Sequence, residues 1–363
     1  MSGKEVLDRL VADIMSGVYS KEGKLPGETA LSASFGVSRM TLRTALDELR
    51  RQGLIEKRNG AGSFLTKRAY RKSGLIGLVI PDYDSFGFFA AIKDEVSRHA
   101  ARLRYRVELV SSSARTHDEM VIDIRHKVRA LAVNRAEGVI FRPFVPETFA
   151  ETNMEIVKIL RRAEIPVVLI DSDVTRPPMR SDCDLVAVNN IGAGRQIADH
   201  LHDRGYGRIA FLMQGPSHLA NSNWSNRLFG LAGELALLGH EGSVCRLTLA
   251  PSNERMLKDV MRKRDRPDAI VCGNDEQASV LIKTLAKIGK RVPNDVAVVG
   301  FDDVPIARTS VPPLTTISQP IKKLAATAFK TLLARMRYPN NDPREILLDA
   351  PLVVRRSTSK AGD

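Results

Sequence analysis

The sequence predicts an α/β protein in two parts. A small α+β head, a winged helix-turn-helix, precedes a two-lobed body built on parallel sheets. Three observations carry this. Between Leu25 and Leu65, two helical segments flank a Gly36-Val37 turn and run into a glycine-rich hairpin. From Leu75 to Phe301, short apolar runs alternate with helical patterns, as in parallel strands covered on both faces. That alternation is too long for one sheet and breaks at Thr175-Arg176-Pro177-Pro178, which points to two similar lobes.

Composition sets the bounds. A chain of 363 residues accommodates two or three domains. Residues 1–72 hold 14 Lys and Arg against 8 Asp and Glu, a net of +6 out of +13 for the whole chain. Nearly half of the excess positive charge thus lies in the first fifth, which fits a nucleic-acid partner there. The three cysteines, Cys183, Cys245 and Cys272, are too sparse for a disulfide scaffold or a metal-ligand pattern. The start, MSGKEVLDRLVADIMSG, carries acids and no long apolar core, unlike a signal peptide. No apolar run approaches the ~20 residues that span a bilayer. The expected location is the cytoplasm, with no membrane contact and neither metal nor cofactor.

In the head, Val6, Leu7, Leu10, Val11 and Ile14 form one stripe of a helix ending near Gly17. Pro26-Gly27-Glu28 opens a second helix, with Gly27 as N-cap and Glu28 favouring its positive end. Ser38 caps a third helix from Arg39 to about Gln52, which Gly53 stops. Leu42, Ala45, Leu46 and Leu49 pack. The opposite side offers Ser38, Arg39, Thr41, Arg43 and Thr44, side chains suited to phosphates and base edges. Strands at 53–58 and 63–67 are joined by Asn59-Gly60-Ala61-Gly62. Asn59 and Gly60 suit a wing tip on DNA and equally a plain hairpin turn.

The segments LPGE, GVSRMTLRTAL, LRRQGLI and NGAGSFL resemble the DNA-binding module of GntR-type bacterial regulators over residues 4–67. The resemblance implies that Arg39, Arg43, Ser38 and Thr41 touch double-stranded operator DNA, and that Gly60 lets the wing approach the minor groove. Two positions depart from the family. Gly27 stands where serine is usual, and Thr29 where some members carry an arginine. The basic segment TKRAYRKSG then reads as a linker, giving a head at 1–68, a linker at 69–74 and a body at 75–358.

In the body the pattern places polar residues just beyond strand ends: Asp82 and Asp84, Arg142, Asp171, Asn274 with Asp275, and Asp302 with Asp303. Ligands of open parallel sheets bind beyond those ends. Carboxylates, amides and guanidinium groups that converge match a polyhydroxylated ligand, whose hydroxyls both donate and accept. The single tryptophan, Trp224, suits either a sugar ring face or packing, and Arg142 suits sugar hydroxyls or a carboxylate. Asp303, Asn189 and Asp275 equally suit loop-folding Asx turns.

The segments IGLVIPDYDSFGFF, VVLIDSD, VNNIGAGRQIADHLHDRGYGRIAFL, AIVCGNDEQA, VPNDVAVVGFDD and PPLTTISQP resemble the effector domain of LacI/GalR-type repressors, relatives of periplasmic sugar-binding proteins. The resemblance implies effector contacts by Asp171, Arg227, Asn274, Asp302 and Gln319. It also implies that the loop from Asp82 to Phe89, with Asp84 and Phe89, lines the first lobe's side. The lobes are expected at about 75–176 with 320–343, and about 182–303 with 345–356. The combination implies a homodimeric repressor on a palindromic operator, released by a small sugar or sugar derivative. A purine-like co-repressor, an activator and a carbohydrate-binding protein with a vestigial head are the alternatives. No G-x-S-x-G, Walker or H-E-x-x-H motif points to an enzyme.

Overall fold

The computed structural model describes residues 3–15, 18–19, 23–51, 53–58, 61–66, 73–81, 87–114, 116–145, 149–175, 179–213, 222–240 and 244–359. In the head, α1 (Gly3–Met15), α2 (Glu28–Phe35) and α3 (Arg39–Arg51) precede β1 (Ile55–Arg58) and β2 (Gly62–Leu65). The stripe read from the sequence forms its core: Val6, Leu10, Val11 and Ile14 meet Leu31, Phe35, Leu42, Ala45, Leu46 and Leu49. Gly36 closes α2 in the left-handed region at φ +63°, where glycine avoids the Cβ penalty. The wing strands pair antiparallel, Ile55 opposite Leu65 and Arg58 opposite Gly62.

The body begins with β3 (Leu75–Val79), α4 (Phe88–Arg102), β4 (Arg106–Val110), α5 (His117–Val133), β5 (Gly138–Phe141), α6 (Ala150–Arg162), β6 (Val167–Ile170) and β7 (Asp184–Val188). It continues with α7 (Asn190–Asp203), β8 (Ile209–Met213), α8 (Ser222–Leu237), β9 (Val244–Thr248), α9 (Glu254–Arg262), β10 (Ala269–Cys272), α10 (Asp275–Lys287) and β11 (Ala297–Asp302). The last elements are α11 (Pro305–Thr309), β12 (Thr315–Ser318), α12 (Ile321–Arg337), β13 (Glu345–Leu348) and β14 (Leu352–Val353).

Two six-stranded sheets result, ordered β13-β7-β6-β5-β3-β4 and β14-β12-β11-β10-β8-β9. All neighbours are parallel except the short β14, which runs antiparallel to β12. Each sheet is covered on both faces by apolar clusters, which explains the near-continuous apolar strands.

The sheets divide the chain differently from the sequence reading. Asp184–Val188 pairs with β6, Leu169 opposite Leu185, and Glu345–Leu348 pairs with β7. Both belong to the first lobe, although 182–303 and 345–356 were expected in the second. The reason is that an apolar run reveals a strand but not its neighbour. The second lobe also extends past 303, because β12 pairs with β11. The chain crosses between lobes three times: after β7, after β12 and between β13 and β14.

Candidate effector cleft and nucleic-acid interface

The described residues predicted to face DNA on α3 gather on one exposed surface of the head. Ser38 caps α3, its Oγ accepting from the Thr41 amide at 3.1 Å and lying 2.8 Å from Thr41 Oγ1. Arg39 donates to Thr29 Oγ1 at 3.3 Å, and Arg43 Nε donates to Glu28 Oε2 at 2.9 Å. Both arginines therefore point to the same side, toward α2. This is the position that a four-residue spacing on a helix dictates. The hydrogen bond to Arg43 holds the Glu28 carboxyl below its ordinary range. Thr44 is exposed and turns its hydroxyl back onto the Met40 carbonyl at 3.2 Å. In the wing, Arg58 stacks 4.4 Å over Phe64 and donates to Glu56. Asn59 and Gly60 lie outside the described residues.

The described candidates of the body lie at or near the carboxyl ends of the two sheets. On the first lobe, Arg142 follows β5 and Asp171 follows β6. Arg142 is 6% exposed, lies 4.6 Å over the Phe89 ring and comes within 3.8 Å of Asp171. Phe88 packs into the lobe and Phe89 faces Arg142. Asp84 lies outside the described residues.

On the second lobe, Arg227 is buried on α8. Its Nε donates to Asn190 Oδ1 at 2.8 Å, and Nη1 donates to the Gly273 carbonyl at 2.6 Å. Its guanidinium stands 3.4 Å from the centre of the Phe301 ring. Burial works against the charged form of Arg227, opposed first by Asp302, then by Asp171 and Asp275. Asp171 of the opposite lobe thus lies within electrostatic reach of Arg227. Asp302 is pushed up to about 8, by burial before anything else, with Arg227 pulling the other way. Gln319 Nε2 donates to Asp302 Oδ1 at 2.5 Å.

Three buried side-chain oxygens have no hydrogen-bond partner among the described residues, Gln319 Oε1, Ser172 Oγ and Ser181 Oγ, and Gln319 Oε1 belongs to the group that holds Asp302. An unmade buried hydrogen bond costs about 1–3 kcal/mol, so a ligand that donates here recovers it. The backbone points the same way. Asp171, Asp302 and Asp303 have φ of +75°, +115° and +57°, sparsely populated values that concentrate at functional sites.

Some candidates do other work. Asn274 caps α10, its Oδ1 accepting from Gln277 N at 2.9 Å, which leaves its NH2 as the group to offer. Asp275 is wholly buried, accepting from Thr316 Oγ1 at 2.6 Å and Val304 N at 3.0 Å. Asp303 pairs with Arg355 at 2.6 Å and Ser318 at 3.1 Å, and Asn189 caps α7. These three fold their loops. Trp224 packs on Gly273, where a Cβ would meet the indole at 2.3 Å. Sequence reasoning missed Asn190 and Asn223. Asn190 Nδ2 donates to Asn223 Oδ1 at 3.1 Å, so both stand behind Arg227. The only signal was an asparagine doublet at a strand end. No group of three or more His, Cys, Asp or Glu able to hold a metal occurs among the described residues. No described helix is long and apolar enough to cross a membrane.

Comparison with known proteins fits this geometry. Residues 3–65 match the gntR family of bacterial regulatory proteins, and residues 198–358 match a periplasmic binding protein-like domain. The chain is a GntR-type DNA-binding domain joined to a periplasmic-binding-protein-like domain. It has the composition of a bacterial transcriptional regulator. Two relatives are similar over nearly their whole length, and both are arabinose metabolism transcriptional repressors. The one from Halalkalibacterium halodurans is 25% identical over 98% of this chain and 96% of its own. The one from Geobacillus stearothermophilus is 27% identical over 98% and 97%. Among solved structures, a LacI family regulator from Enterococcus faecium with bound ribose superposes with a TM-score of 0.64. It is 21% identical and covers 78% of this chain and 98% of its own. At that identity the likeness concerns the fold.

Proposed function

We propose that the chain is a cytoplasmic, homodimeric repressor of carbohydrate-utilisation genes, released from a palindromic operator by a small sugar. It acts by binding alone, without a catalytic step. One observation carries the effector reading. Arg142 and Asp171 lie at the carboxyl end of one sheet and Arg227, Asp302 and Gln319 near that of the other, with Asp171 acting electrostatically on Arg227 and the Gln319 carbonyl oxygen without a donor among the described residues. Arg142 balanced by Asp171 on the first lobe, and the hydrogen-bonding groups of Asp302 and Gln319 beside Arg227 on the second, favour a ligand rich in hydroxyls. Both full-length relatives are repressors of arabinose metabolism, which supports a sugar and repression. Two-fold symmetry follows from the head, since one helix-turn-helix reads half a site. Effector would shift the lobes toward closure and lower operator affinity 5–150-fold, a coupling of ~1–3 kcal/mol.

The test has two arms. Thermal shift with L-arabinose, D-ribose, D-xylose, their sugar acids and purines identifies the ligand class. Stabilisation by purines alone overturns the sugar reading. Operator binding by the Arg39→Ala, Arg43→Ala double variant is the second arm. Unaltered DNA affinity with intact ligand binding would leave the carbohydrate-binding protein with a vestigial head as the better reading.

A further inference from the structure

We propose that Asn153, on α6 and away from the cleft, is the residue that positions Arg142 for the effector. The inference rests on the cleft reading above. Arg142 lies on an irregular segment, just after β5 ends at Phe141. Its own amide still donates to the Val79 carbonyl at 2.9 Å. Two residues later, one buried side chain takes over. Asn153 Oδ1 accepts from the Phe144 amide at 2.8 Å, and Asn153 Nδ2 donates to the Phe144 carbonyl at 2.9 Å. The side chain thus satisfies both backbone groups of Phe144, as a neighbouring strand would.

Chemistry restricts which residues can do this. The position needs a donor and an acceptor side by side, which a carboxamide has and a carboxylate, hydroxyl or ammonium lacks. Asn153 is 3% exposed, so water does not substitute for it. The Phe144 ring is fixed as well, stacked on Phe149 with centroids 4.6 Å apart and planes 15° from parallel. Arg142 is therefore held between two pinned points of backbone. Its guanidinium is thereby placed over Phe89 and beside Asp171. Without the Asn153 clamp, the 142–145 segment loses its second anchor, and Arg142 loses the orientation that a ligand contact needs.

Two measurements test this. Hydrogen exchange of the free full-length protein needs no ligand. Asn153→Ala is expected to speed exchange at Phe144 at least about tenfold while β5 at 138–141 stays protected. Titration of L-arabinose, or of the panel sugar that stabilises most, gives the functional side. Asn153→Ala and Arg142→Ala should each weaken binding by about tenfold. Adding Asn153→Ala to Arg142→Ala should change the affinity less than twofold, because residues acting through one contact are not additive. Operator affinity without sugar should be unchanged. Asn153→Asp keeps the acceptor for the Phe144 amide but sets an oxygen against its carbonyl. It should show the same pattern, and it serves where Asn153→Ala does not fold. Additive losses in the double variant, or an unchanged affinity in Asn153→Ala, overturn the inference alone. Failure of the wild-type protein to bind any panel sugar overturns the cleft reading and the inference with it.

Discussion

Replacing Gly230 by alanine should both destabilise the second lobe and weaken effector binding. Helices α7 and α8 cross with their backbones in contact. A Cβ on Gly230 would stand 2.1 Å from the Ile191 carbonyl oxygen and 2.8 Å from its carbon. The reverse contact is as tight, since a Cβ on Gly194 would lie 2.2 Å from the Arg227 carbonyl oxygen. These are backbone atoms, which cannot rotate aside, so α8 must retreat by about 1 Å to restore van der Waals separation. Arg227 lies one turn before Gly230 on that helix. Its bonds to Asn190 at 2.8 Å and to the Gly273 carbonyl at 2.6 Å leave little room for such a shift. Overpacking costs about 1–3 kcal/mol. A weakened hydrogen bond to a charged group costs a similar amount. The expected result is a loss of about 2 kcal/mol in stability and of about tenfold or more in effector affinity. Gly233 supplies the control. It lies on the same helix with nothing within 4 Å of a built Cβ. Gly233→Ala should therefore be neutral or stabilising by up to about 1 kcal/mol, because alanine is the better helix former. Urea unfolding followed by circular dichroism gives the stabilities. Emission of Trp224, the sole tryptophan, follows effector binding. Equal stability and affinity in the two alanine variants would refute the proposed role of the crossing.

Two further outcomes are expected. Burial pushes the Asp275 carboxyl up to about 7, so the folded state keeps a proton that the unfolded chain releases near pH 4. Stability from this group is complete below about pH 4 and falls as pH rises toward 7. Asp275→Asn mimics the protonated form, with its amide oxygen accepting from Val304 N and its NH2 facing Thr316. Its advantage over wild type in urea midpoint should widen between pH 4.5 and 7, on the order of 3 kcal/mol at most; parallel curves would contradict this. In the head, Gly27 caps α2 without a side-chain hydrogen bond, in extended backbone at φ −61° and ψ 152° with open space around it. Gly27→Ser should stabilise the head by a few tenths of a kcal/mol, read as a small rise in its unfolding temperature; a fall would show that the hydroxyl cannot reach the helix end.

The residues that were legible share one property: their signal is local. The apolar stripe Leu42, Ala45, Leu46 and Leu49 forms the head core because helical spacing alone decides which face packs. Asp171 and Asp302 are legible as candidates because a polar residue after an apolar strand lies at the ligand-binding edge, whereas Gln319 enters only through the resemblance to the LacI/GalR effector domain. What failed depended on partners distant in sequence. The apolar run Leu185–Val188 reads as a strand from the sequence, but its neighbour does not, since a parallel strand presents the same apolar pattern to either lobe. Asn190 meets Arg227 across 37 residues, and Asp275 meets Thr316 across 41. Asn153 looks like any polar residue on a helix until Phe144 is brought beside it. In the Asn274-Asp275 and Asp302-Asp303 doublets, adjacency hid a division of labour. Asn274 caps α10 while Asp275 is buried against Thr316 and Val304, and Asp302 meets Gln319 while Asp303 pairs with Arg355.

That division bears on how a bound ligand could reach the head. The linker read at 69–74 offers no apolar wedge, so coupling has to begin in the lobes themselves. Their three crossings are bonded to one another. Asn189 N donates to the Leu348 carbonyl at 2.9 Å, Ser318 N to the Pro351 carbonyl at 2.8 Å, and Asn189 Nδ2 to Asp349 at 3.2 Å. Two polar residues of the candidate cleft lie directly on these crossings. Asn190 follows the first and holds Arg227, and Gln319 lies on the second and holds Asp302. A ligand that satisfies the Gln319 carbonyl oxygen therefore acts on a crossing strand and on the Asp302 carboxyl together. Because the crossings are cross-bonded, a torsion at one is shared by all three. Under the proposed mechanism the lobes would then rotate as units, which suits two discrete states better than a graded deformation. The effector can shift that balance only by the difference in its affinity for the two states.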